Sequence, residues 1–126
     1  MRKEKIFLLV ASLGIFPVAL TYGLFQNMFF GVDVNSIEMA NIFRATMGLY
    51  MAMGTFWFVA AFNNKYTLSA LHSLIVFMSG LAVARFVSMF VDGTPNIVLV
   101  GYTVIEAAIA FSGYTVLKGS SDFNAK

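Results

Sequence analysis

Residues 68–91 read LSALHSLIVFMSGLAVARFVSMFV. As a helix rising 1.5 Å per residue, this run extends about 36 Å and passes a hydrocarbon core of about 30 Å. Working outward, comparable apolar runs occupy about 6–30 (IFLLVASLGIFPVALTYGLFQNMFF), about 37–62 and about 97–117. Only GVDVNS, NNKYT and DGTPN separate them, and connectors this short force antiparallel neighbours. Backbone groups in lipid must be satisfied internally, by a helix or a closed barrel. These runs are far longer than barrel strands and lack strict alternation. The expected fold is therefore all-α, an integral membrane four-helix antiparallel bundle forming one transmembrane domain over residues 1–126.

Composition agrees. The chain has 126 residues, 60% hydrophobic and 11% charged, with mean hydropathy +0.82. A soluble domain carries roughly 25% charged and 45–50% apolar residues, so a soluble globular domain is excluded. Disorder, which needs low hydrophobicity and high net charge, is excluded as well. The absence of cysteine removes disulfide frameworks, thiolate metal sites and cysteine nucleophiles.

The basic residues carry topological information. Arg2, Lys3 and Lys5 precede the first run, Lys65 lies in the second connector, and Lys118 and Lys126 follow the last run. With four spans, all fall on one side, while the opposite connectors hold Asp33 and Asp92, with Glu38 just inside the second run. The positive-inside rule then places both termini in the cytoplasm and Tyr66 at that interface. The net charge of +2 is thereby accounted for, and no nucleic-acid partner is expected. The stretch after Met1-Arg2-Lys3-Glu4-Lys5 is about 25 residues long, beyond the 7–15 of a signal h-region. No A-x-A-like site closes it, so it is expected to remain as a span.

Local signals mark the helix ends. Asn35 or Ser36 is positioned to cap the second run, with Glu38 in its first turn. Asn63-Asn64 closes that run, and Asp92-Gly93-Thr94-Pro95-Asn96 separates the third from the fourth. Pro17 is expected to kink the first helix. The tail GSSDFNAK reads as a short disordered end.

Arg44, Arg85 and Glu106 have no topological explanation. Each costs about 2.5–3.5 kcal/mol near the membrane centre, and such residues face the bundle interior and pair. All three fall roughly 10–14 Å from the same membrane surface, below Asp33, Glu38 and Asp92. Helical spacing extends the pattern into stripes: Glu38, Asn41, Arg44 and Gly48; Arg85, Ser88 and Asp92; Tyr102, Glu106, Ala110 and Gly113. Small residues Gly48, Ala52 and Thr55, and Gly80, Ala84 and Ser88, form rows of the kind that let helices approach closely. The expected picture is a tight lower bundle with a polar chamber above it. The cluster has three readings: ion pairs that pin helix register, a site in which paired guanidinium forks hold an anionic ligand or lipid headgroup, or a place of catalysis or proton movement.

Weaker signals receive plainer readings. His72 lacks companions for a metal site and is expected as a hydrogen-bonded histidine; it lies in the leaflet opposite the acidic groups, so no nucleophilic triad forms. Tyr22, Tyr50 and Tyr102 are candidates to line a quinone-sized pocket, against the commoner role of tyrosine in bundle packing.

The stretches GVDVNSIEMANIFRATMGLYMAMGTFW and GLAVARFVSMFVDGTP, followed by a lone glutamate in the last helix, resemble a family of small bacterial membrane proteins filed as domain of unknown function forty-three forty-five. The likeness covers roughly residues 15–117. Its most specific parts are Phe43-Arg44-Ala45, Gly48-Leu49-Tyr50, Gly80, Arg85, Ser88 and Asp92-Gly93. The plan is also distantly similar to DoxX-like four-helix proteins, some of which are subunits of quinone-linked oxidoreductases. The resemblance implies a bacterial inner-membrane bundle and brings no reaction, substrate or cofactor. The expected function is a non-enzymatic accessory or scaffold subunit without cofactor, in contact with membrane lipid and with other membrane subunits or copies of itself. The alternatives are an anion-binding or transport protein and a quinone-linked redox subunit.

Overall fold

The computed structural model describes residues 2–119; the expectation of a disordered tail falls, from residue 120 onward, outside the described residues. The chain runs α1 (Lys3–Gly23), α2 (Gln26–Phe30), α3 (Ile37–Phe62), α4 (Asn64–Asp92) and α5 (Ile97–Lys118). Helices α1, α3, α4 and α5 are four helices long and apolar enough to cross a membrane. They pack as an all-α bundle.

The first apolar run is not one helix to Phe30. Helix α1 passes through Pro17 without interruption and stops at Gly23; the one-turn α2 follows and ends at Gly31, whose φ of 68° suits glycine. Side-chain packing supplies the reason. The break returns Phe30 to the interior, where its ring meets Tyr22 at 5.0 Å and Tyr102 at 5.9 Å. Hydropathy alone does not register such a contact.

The second connector is also shorter than expected. Asn63 alone separates α3 from α4, ending one and capping the other, with its Oδ1 accepting from the Lys65 backbone N–H at 3.0 Å. The buried Thr67 hydroxyl reaches back to the carbonyls of Ala60 (2.7 Å) and Asn63 (3.0 Å). Residues 64–67 therefore extend α4 by a turn. At the other end of the bundle, Ser36 caps α3 through Met39 N–H and Asn96 caps α5 through Leu99 N–H, each at 3.1 Å. The Asn96 side chain also donates to the Phe29 carbonyl at 3.1 Å, which ties α5 to α2.

Around the bundle, α1 packs on α3, α3 on α4 and α4 on α5, whereas α5 and α1 meet at few points. The close approaches use glycines outside the expected rows. A Cβ on Gly54 would stand 2.6 Å from Ile15 Cγ2, and one on Gly113 would stand 3.0 Å from Ile75 Cγ1. By contrast, Gly48 and Gly80 have open space beside them, and Ala52, Thr55, Ala84 and Ser88 are exposed. In a helix that is apolar on every face, a row of small residues does not declare which side meets a neighbour.

The sole tryptophan, Trp57, is fully buried and donates from Nε1 to Ser73 Oγ at 3.1 Å. At the lysine-bearing end, Lys3 Nζ donates to the Gly119 carbonyl at 3.3 Å, joining the start of α1 to the end of α5. Glu4, one of the charges before the first run, is buried there with Arg2 Nε 3.3 Å from its carboxylate.

Candidate functional site

Arg85 lies on α4 about two turns before Asp92, and Glu106 lies on α5 about two and a half turns after Ile97. The antiparallel hairpin brings them to one level. Arg85 Nε donates to Glu106 Oε1 at 2.8 Å, with 18% of the arginine and 7% of the glutamate side chain exposed. This is a short, charge-assisted bond in a sheltered position. A second arm of the same guanidinium, Nη2, donates to the Tyr50 hydroxyl of α3 at 3.3 Å. Its carbon also sits 5.6 Å from the centre of the Tyr22 ring and 5.9 Å from that of Tyr102, within cation–π range. One arginine thus engages α1, α3 and α5 from α4.

The tyrosines form a lattice around it. Tyr22 packs on Tyr50 at 5.0 Å and on Tyr102 at 6.2 Å. The Tyr102 hydroxyl is 3.0 Å from Thr21 Oγ1, and Thr21 in turn donates to the Val18 carbonyl at 2.6 Å. Among the described residues, the Tyr22 hydroxyl is buried without a hydrogen-bond partner.

Beside this lattice, in the gap between α1 and α5, lies a cavity of about 370 Å³. One wall is α1, from Phe7 through Val10, Gly14 and Val18, and the other is α5, from Tyr102 to Ile109. Tyr50 and Met78 close the inner side. The α1 wall spans about 16 Å at 1.5 Å per residue. Nearly all of it is hydrocarbon; Glu106, Tyr50 and Tyr102 are the lining residues that carry polar groups. Val10 and Ile105 at the rim are more than half exposed, so the cavity opens sideways, toward the acyl chains of a surrounding bilayer.

The structure brings together Arg85, Glu106 and Tyr102. Arg44 is elsewhere: it is exposed and borders a shallow cleft of about 590 Å³ with Leu24, Gln26, Asn35 and Ser36. Glu38 and Asn41 are exposed on α3. Ser88 donates to Asp92 at 2.8 Å on the exposed side of α4. The chamber expected between Arg44 and Arg85 is accordingly replaced by two separate features, a polar surface cleft and an interior pair. Two guanidinium groups seven residues from their helix ends need not face each other, since depth fixes level but not azimuth. His72 Nδ1 bonds its own helix at the Leu68 carbonyl, 2.9 Å away. Thr21 and the α1 wall carry no sequence signal beyond ordinary apolar helix. Tyr50 was legible as one of three tyrosines, although nothing in its spacing pointed to Arg85.

Neither a comparison with curated proteins nor one with solved structures returns a match. One family does match, over residues 4–117 and so almost the whole chain. The protein belongs to the family described as Domain of unknown function (DUF4345).

Proposed function

We propose that this is a non-catalytic membrane protein that holds an amphipathic, membrane-soluble molecule in the cavity between α1 and α5. The single observation that carries the reading is that cavity: about 370 Å³, inside the 300–1,000 Å³ range of ligand sites, apolar with a few convergent polar groups. Its sideways opening lets a molecule enter from the bilayer without crossing water. The Arg85–Glu106 pair holds α4 and α5 in register beside it and neutralises its own charge, so the site has no spare cation for an anionic guest. In this reading the bundle lies in a bacterial inner membrane with its lysine-bearing end, and both termini, in the cytoplasm; the support is the one-sided placement of Lys3, Lys5, Lys65 and Lys118.

A second reading, an accessory or scaffold subunit for other membrane proteins or a further copy of itself, is favoured by the brevity of the connectors. Asn63 alone joins α3 to α4, so a partner is met chiefly through helix faces. A ring-bearing guest such as a quinone is compatible with the volume of the cavity and would place the protein beside a redox complex.

The test is extraction and mass analysis of small molecules carried by the purified protein and by Gly14→Leu. A Cβ at Gly14, which lines the cavity, would meet nothing within 4 Å, so leucine there is placed to fill the cavity. The wild type is expected to carry an amphiphile that Gly14→Leu lacks. Identical extracts refute the reading.

A further inference from the structure

Arg85 and Glu106 meet in the interior. Arg44, on α3, is exposed and, among the described residues, makes no ion pair, hydrogen bond or ring contact. A charge inside a span is costly, and such residues pair or face a polar cavity. Arg44 takes the second course. With Ile37 and Ala40, at i, i+3 and i+7 on one face of α3, it lines the shallow cleft of about 590 Å³ between the start of α3 and the corner of α1 and α2. Gln26, Asn35 and Ser36 give the cleft its amides and hydroxyl, while Leu24 and Ile37, both more than half exposed, give it an apolar rim. Among the described residues that line it, none carries a carboxylate. Glu38 falls about 120° around α3 from Arg44, and Asp33 accepts from the Asn27 side chain. The cleft therefore holds one uncompensated positive charge.

Depth identifies what meets it. Helix α3 has 26 residues and extends about 39 Å, against about 30 Å of hydrocarbon in a bilayer of about 40–45 Å. Centred, it leaves about 5 Å in each headgroup layer. The Arg44 Cα, about 10 Å from the helix start, then lies about 5 Å below the hydrocarbon boundary, and a side chain of this length snorkels from there to the headgroups. We propose that the cleft holds the phosphate of a phospholipid from the leaflet at the Asp92 end of the bundle, with the Arg44 fork on two of its oxygens and the glyceride against Leu24 and Ile37. Guanidinium matches phosphate bidentately, and one phosphodiester charge balances one arginine. Inorganic phosphate offers the same oxygens but nothing for the apolar rim, so the lipid is the source. The site is separate from the cavity between α1 and α5 and does not depend on the guest proposed there.

The experiment titrates the detergent-solubilised full chain with phosphatidylglycerol, or with a galactosyl diacylglycerol of the same acyl chains, and reads bound lipid by native mass spectrometry. Arg44→Gln is compared with the wild type; Arg44 makes no bond to the rest of the bundle, so the fold is expected to survive, with Trp57 emission as the check. Lys65→Gln removes an exposed charge at the opposite end and controls for attraction that needs no cleft. The wild type is expected to bind phosphatidylglycerol about tenfold more tightly than the galactolipid, the worth of a charge-assisted hydrogen bond. That preference is expected to vanish in Arg44→Gln and to persist in Lys65→Gln and in Gly14→Leu. A preference that survives Arg44→Gln, or that falls equally in Lys65→Gln, overturns the inference. Its loss in Gly14→Leu moves the lipid to the cavity between α1 and α5 and overturns the cleft as the site. Displacement of phosphatidylglycerol by millimolar inorganic phosphate overturns the lipid as the source.

Discussion

Replacing Arg85 by methionine removes the guanidinium and keeps most of the hydrocarbon stem. Glu106, only 5% exposed, is then left as a carboxylate without its partner at 2.8 Å. Breaking a buried pair from one side costs about 3–5 kcal/mol, most of it the penalty of the orphaned charge. The Tyr50 bond at 3.3 Å and the two ring contacts are lost as well. Glu106→Gln is expected to cost less. The remaining guanidinium keeps Tyr50 and the faces of Tyr22 and Tyr102, and glutamine keeps an acceptor. The double variant Arg85→Met with Glu106→Leu leaves no charge behind and is expected within about 1 kcal/mol of the wild type, or above it. The assay is reversible unfolding of the full chain in mixed micelles, arranged as a double-mutant cycle that Glu106→Leu alone closes. A coupling of several kcal/mol, with the double variant more stable than Arg85→Met alone, is the expected result. Single costs below about 0.5 kcal/mol, or strictly additive losses, would mean that the pair does not hold the bundle.

Four further outcomes separate this structure from other packings of the same helices. Arg44→Gln, on the exposed side of α3, is expected to shift stability by no more than about 0.5 kcal/mol in the same unfolding assay, in contrast to Arg85→Met. Gly54→Leu, which drives a side chain into Ile15, is expected to cost about 1–3 kcal/mol by overpacking, whereas Gly48→Ala and Gly80→Ala should be neutral or slightly stabilising. Thr67→Val strips the turn of both its hydroxyl bonds and is expected to cost about 1–3 kcal/mol, read as a lowered Tm. Trp57, fully buried against Ser73, is expected to emit in the blue and to resist aqueous quenchers; ready quenching by iodide would place α3 the wrong way round.

Much of the architecture was legible because membrane spans announce themselves by length. The starts of α3 and α5 follow from Ser36 and Asn96, whose side chains accept from N–H groups at the expected spacing. The ends set by tertiary contact were not legible. Nothing local says that the first run breaks at Gly23, since the cause is Phe30 packing against Tyr22 and Tyr102 on distant elements. Asn63 and Thr67 likewise turn an apparent connector into a helix start through bonds that skip across the corner. The site divides in the same way. Arg85 and Glu106 are conspicuous as charges in apolar helices, and their depths match. Arg44 satisfies both criteria and still lies apart, because a helix that is hydrophobic all round gives no amphipathic face from which to read azimuth.

The position of the charged pair also bears on why the cavity persists. A pair this well sheltered contributes little net stability compared with apolar side chains of similar volume, so helix locking alone explains it poorly. Its second effect is geometric. Arg85 reaches Glu106 on α5 and Tyr50 on α3 at once, holding α5 against α4 at a spacing that leaves the α1 side of Glu106 open. Leucine and methionine in these places would supply equal cohesion but would let α5 slide toward α1 and close the gap. The double variant that restores stability is then expected to lose the amphiphile proposed for the cavity. A stable double variant with unchanged native-mass-spectrometric binding would separate the pair from the cavity and leave helix locking as its whole role.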